Sequence, residues 1–127
     1  MTSIDRRRGA DRGAKGRRME ELLLSELQES YRMHGIPILS TWITHRCRAR
    51  GDRDFLGCWD VAILAGGNPA RYLCLYQVKS EYRPSHMEAL RRGVTGNYCC
   101  LAVYNEPPGH VPSFKMGHFW LIHVEVL

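Results

Sequence analysis

No stretch of this sequence approaches the ~20 consecutive apolar residues that a membrane-spanning helix requires, and no apolar segment near its start has the form of a secretory signal. The expectation is a soluble, intracellular, cytoplasmic protein. Cys-x-x-Cys pairs are absent as well. The five cysteines, Cys47, Cys58, Cys74, Cys99 and Cys100, form an odd set, and three of them lie in apolar, strand-like runs. That pattern points to reduced, buried thiols rather than a disulfide framework. A zinc site on His45, Cys47 and Cys58 would lack a second closely spaced pair to complete four ligands. Internal repeats are missing, and no recognition helix or zinc finger for reading bases stands out. Lysine is scarce, three residues against fifteen arginines.

What is present fits one compact unit. A chain of 127 residues supports a single core, and 44% hydrophobic with 24% charged residues is a globular composition. The net charge of +5 is concentrated at one end. Arg6, Arg7, Arg8, Arg12, Lys15, Arg17 and Arg18 face only Asp5 and Asp11 there, and the remainder is balanced. A Gly- and Arg-rich opening with almost no apolar residue cannot offset the entropy of ordering by burial, so residues 1–14 read as a flexible basic arm able to track phosphates, ahead of a single domain over 15–127.

Met19, Leu23, Leu24, Leu27 and Tyr31 recur at helical spacing, with Gly35 as a left-handed terminator, which predicts a helix over 15–34. The β-branched and aromatic run 36–44 predicts a strand, followed by an exposed Arg/Gly/Asp loop over 45–57. Further strands are expected over 59–65, 71–80, 98–104 and 119–127. A short Gly/Pro turn joins the second and third strands, and a helix over 84–92 precedes the fourth. The order α-β-β-β-α-β-β, a hairpin and then a helical crossover, implies an α/β fold whose mixed sheet is flanked by helices.

Chemistry-bearing residues gather at particular places in that scheme. Gln77 and Lys79 share one face of the third strand, and a lysine ending so apolar a strand calls for a partner. Asp60 stands at the mouth of the second strand, and hairpin pairing brings it beside them. Glu20 precedes Leu23 and Leu24 by three and four positions, so it shares their inward stripe, whereas Glu21 falls on the polar face. Taken alone, Glu20 reads as a solvated carboxylate at a helix start, favoured by the macrodipole. Oxygen ligands of this kind suit a hard cation such as Mg²⁺.

In order and spacing, Lys15-Gly16-x-x-x-Glu20, Gly57-x-x-Asp60-Val61 and Leu75-Tyr76-Gln77-Val78-Lys79-Ser80 resemble the PD-(D/E)XK nuclease superfamily, and within it the archaeal-type Holliday junction resolvases that viruses also carry. The resemblance runs from about Lys15 to the fourth strand. It implies a restriction-endonuclease-like core and a catalytic set of Glu20, Asp60, Gln77 and Lys79. The first three would hold Mg²⁺, with Mn²⁺ as a substitute, and Lys79 would orient the attacking water and stabilise charge on the scissile phosphate. It also implies a structure-selective endonuclease for four-way DNA junctions, working as a homodimer because two symmetric strands must be cut. Two positions depart from the pattern. Trp59 stands where the motif has proline, and Gln77 stands where an acid is preferred, so the site has one negative charge fewer. Glu81 is oddly spaced from Gln77 and Lys79 and falls on the opposite face of a regular strand.

Arg46, Arg48, Arg50 and Arg53, in the loop before Asp60, are expected to grip phosphates together with Arg6, Arg7, Arg8, Arg12, Lys15, Arg17 and Arg83. Two alternatives accompany this reading: a related nicking or repair nuclease acting on flaps, ends or duplex, and a nonenzymatic DNA-binding module on the same fold. His86 reads as an ordinary exposed histidine, and His110, His118 and His123 share no spacing that assigns a role.

Overall fold

The computed structural model describes residues 3–43, 59–67, 70–92 and 98–125, with side chains of the first helix from residue 15 onward. It is α/β, a six-stranded mixed sheet between two helices. Helix α1 spans Ser3–Met33, and at 1.5 Å per residue its 31 residues extend about 46 Å. It starts well before the expected residue 15, so from Ser3 onward the segment that composition assigns to a separate arm is the first part of this helix. The physical reason is propagation. Once Met19 to Tyr31 are packed, extending the helix through Arg and Ala is cheap, and Gly9 and Gly13, at about 1 kcal/mol each, do not stop it.

Its C-terminus stops as the sequence indicates. Gly35 has φ 69°, and the Gly35 and Ile36 amides donate to the Arg32 and Tyr31 carbonyls at 3.1 and 2.9 Å, a Schellman closure.

The strands are β1 (Ile38–Ile43), β2 (Val61–Gly66), β3 (Arg71–Lys79), β4 (Tyr98–Val103), β5 (Phe114–Met116) and β6 (Phe119–His123), with α2 (Pro84–Arg91) between β3 and β4. Their order across the sheet is β1-β2-β3-β4-β6-β5; only β3 and β4 run parallel. The sequence predicts five strands, and the sixth is β5. Its three residues carry no periodicity of their own and are strand only because they pair with β6 across Gly117.

Side chains alternate between two cores. Cys74 and Tyr76 of β3 face α1 with Leu23, Leu24 and Leu27, while Leu75 faces α2 with Met87 and Leu90. Each buried leucine contributes about 1.5–3 kcal/mol, enough to hold α1 and α2 on opposite faces. No helix among the described residues is long and apolar enough to cross a membrane.

Candidate active site

The register Val61↔Tyr76 places Asp60 one residue ahead of β2, level with Gln77. The Asp60 amide donates to the Tyr76 carbonyl at 2.9 Å. Beyond that point the backbone bends and the side chain continues the ladder, because the Val78 amide donates to Asp60 Oδ2 at 2.9 Å. One carboxylate oxygen is thereby fixed against β3. Trp59, in the place of the motif's proline, is fully buried in the α2-side core and anchors the chain just before the acid.

Lys79 ends β3, and pairing with β4 runs past it. Tyr104 and Asn105 donate to the Lys79 and Ser80 carbonyls at 3.1 and 2.9 Å, so the backbone under the lysine is held. On the opposite wall, α1 supplies Glu20 with Lys15 more than one turn before it.

These elements enclose a cavity of about 440 Å³ lined by Lys15, Met19, Glu20, Asp60, Val78 and Lys79, with Gly16 and Ser80 completing the wall. Glu20, Asp60 and Lys79 thus meet from three separate elements. Gln77 is half-buried one pleat before Lys79 and is not among the lining residues. Ser80 had no part in the sequence-based site; its only signal was adjacency to Lys79.

Two carboxylates beside two ammonium groups can bind a divalent cation and a phosphate together. Among the described residues, no group of three or more His, Cys, Asp or Glu side chains forms a closed cage. Glu20 and Asp60 offer carboxylate oxygens, the donor type that suits a hard ion such as Mg²⁺, which keeps several waters and takes one or two carboxylates.

Nearby, His86 is half-buried, and its imidazole is held below its ordinary range by burial first and then by the positive charges of Lys79 and Arg83. It is neutral at neutral pH and adds no cation beside Lys79.

Of the expected DNA-binding residues, Lys15 lines the cavity, Arg17 is half-buried on α1, and exposed Arg83 pairs with Glu81 at 3.4 Å. The side chains of Arg6, Arg7, Arg8 and Arg12, and the whole of Arg46, Arg48, Arg50 and Arg53, lie outside the described residues.

A pair of hydrogen bonds that the sequence does not reveal ties α1 to the far edge of the sheet. Glu26, 14% exposed, accepts the His118 backbone amide at 2.5 Å and meets His118 Nδ1 at 2.6 Å. The partners are 92 residues apart in the chain, and no local pattern links them.

Compared with known proteins, the chain matches no family model, no curated protein and no solved structure.

Proposed function

We propose that this chain is a metal-dependent endonuclease on a restriction-endonuclease-like core that hydrolyses phosphodiester bonds in branched DNA, four-way junctions above all. The observation that supports it most is the convergence of Glu20, Asp60 and Lys79, from α1, the mouth of β2 and the end of β3, on one cavity. Motif order in the sequence and proximity in space agree.

In this reading Glu20 and Asp60 hold Mg²⁺ or Mn²⁺, and Gln77, outside the cavity lining, is the further ligand that the resemblance implies. The ion supplies Lewis-acid polarisation of the scissile phosphate and the attacking water. The Val78 amide holds the Asp60 carboxylate against β3, at the mouth of the cavity. Lys79 orients the water and stabilises negative charge growing on the phosphate, and Lys15 holds the phosphate from the helix side. A twofold homodimer would match the symmetry of a four-way junction.

A second reading is favoured by one observation: Gln77, standing where the motif prefers an acid, carries no charge and is not among the described lining residues. It is a DNA-binding module without cleavage.

Labelled junction, flap and duplex substrates, each with Mg²⁺ and Mn²⁺, separate these readings. The expected result is junction cleavage that Asp60→Asn or Lys79→Ala reduces at least roughly 100-fold, with junction binding retained. Preferred cutting of flaps or duplex identifies a related nuclease. Binding without cutting by the unmodified protein identifies the module, and no binding to any DNA overturns both.

A further inference from the structure

A second and larger cavity, about 640 Å³, opens on the α1 side of the sheet at its other end. Tyr31 of α1, Tyr72 and Tyr76 of β3, Tyr98 of β4 and Phe114 of β5 form its walls, with Cys74 among them. Cys74 and Lys79 are five residues apart on β3, roughly 17 Å along the strand, so this space is separate from the acid–lysine cavity.

Its chemistry is unlike the rest of the molecule. Among the described residues, no Asp, Glu, Lys or Arg side chain lines it, although the protein carries +5. Burial pushes the hydroxyls of Tyr31, Tyr76 and Tyr98 and the thiol of Cys74 upward, keeping all four protonated and uncharged. His34, also in the lining, has Nδ1 2.7 Å from the Ser30 carbonyl.

Within the wall, Tyr31 Oη and Tyr76 Oη lie 2.6 Å apart. That bond uses one of the two hydroxyl protons. The other goes to the Cys74 sulfur, a weak acceptor. At the rim, Tyr72, Phe114 and Tyr98 remain 53%, 49% and 38% exposed.

We propose that this cavity is a binding site for an uncharged, planar aromatic molecule of two or three rings that carries a hydrogen-bond acceptor. Cavities of about 300–1,000 Å³ take single small molecules. The aromatic walls offer edge and face contacts to a flat ring system. A charged ligand would lose its hydration here without any counter-charge. A purely aliphatic one would leave the second hydroxyl proton on the weak sulfur acceptor, whereas an acceptor oxygen on the ligand offers it a stronger bond. This inference stands independently of the nuclease reading.

The test uses the full chain and prodan, a neutral two-ring naphthyl ketone whose emission shifts to the blue in apolar surroundings. Saturable one-to-one binding is expected, weaker or absent for the anionic dye anilinonaphthalene sulfonate. Tyr31→Phe should weaken prodan binding roughly five- to tenfold, and Ser30→Trp should abolish it by filling the space from α1. Melting temperature reports whether each variant is folded. Should Ser30→Trp fail to fold, Tyr72→Ala at the exposed rim serves in its place and should also weaken binding. The proposal is overturned by no saturable binding, by binding that neither Tyr31→Phe nor the folded one of the other two variants changes, or by tighter binding of the anionic dye. It is overturned equally if sedimentation shows self-association that Tyr72→Ala removes, since the occupant is then a second copy of the chain.

Discussion

Asp60 shows how one side chain serves both strand pairing and the site. By accepting the Val78 amide it takes the place of a backbone carbonyl, so removing it disturbs the β2–β3 ladder as well as the cavity. Asn retains an acceptor oxygen while removing charge, which is why Asp60→Asn is the informative change. Gln77 poses the complementary question, because it shares Lys79's strand but not the cavity lining. If its amide oxygen reaches a bound cation, Gln77→Glu should lower the Mg²⁺ concentration for half-maximal junction cleavage, and Gln77→Ala should raise it. Maximal rate need not rise, since a new carboxylate repels the scissile phosphate and can capture Lys79. A metal titration at fixed DNA concentration reads this out. Equal midpoints in all three proteins would leave the cation to Glu20 and Asp60.

Among the elements, the β5–β6 hairpin depends on α1 for its position. Gly117 turns the hairpin with φ 59°, and a Cβ there would coincide with the Glu26 carboxylate that grips His118. Tyr104 lies parallel to the His118 ring, 6.3 Å between centroids, and its amide holds the Lys79 carbonyl. The hairpin, the helix bearing Glu20 and the strand bearing Lys79 are thus joined through three side chains. Gly117→Ala should cost about 2–3 kcal/mol in urea denaturation, combining backbone strain and displacement of Glu26. In a Glu26→Ala background the same change should cost only about 1 kcal/mol; additive effects would refute the contact. The basic start of α1 is tested by deleting residues 1–14. If Arg6, Arg7, Arg8 and Arg12 neutralise phosphates, the log–log salt slope of junction binding should become shallower by about 0.9 for every phosphate the truncated protein no longer neutralises. An unchanged slope would remove these residues from the DNA surface.

Across the whole molecule, the sheet separates two cores, and cysteines report on both. Cys74 and Cys100 face α1, whereas Cys99 faces α2. Burial pushes the Cys100 thiol up to about 12 and raises that of Cys74, and Cys99 is fully enclosed. Reaction with iodoacetamide at pH 8, resolved by peptide mass spectrometry, should spare all three in the native protein. All should become labelled together through the urea transition. Earlier labelling of Cys99 would mean that the α2 side opens separately.

Local patterns determined much of this protein: the packed stripe of α1 with its Gly35 stop, the β2–β3 hairpin, the crossover through α2, and the placement of Asp60 and Lys79 at strand ends; Glu20, expected in a first helical turn, instead lies in the middle of α1. These follow from periodicity and turn chemistry, which act over a few residues and are written in neighbouring side chains. Tertiary structure alone decided the rest. The extension of α1 back to Ser3 reflects cooperative propagation from a packed half, which residue-by-residue propensity does not contain. Strand β5 exists through its partner β6, and the Glu26–His118 pair joins positions 92 residues apart. The aromatic cavity is space left where α1 ends and the sheet continues. A void has no residues of its own, so its place and its neutrality arise only when the elements around it are assembled.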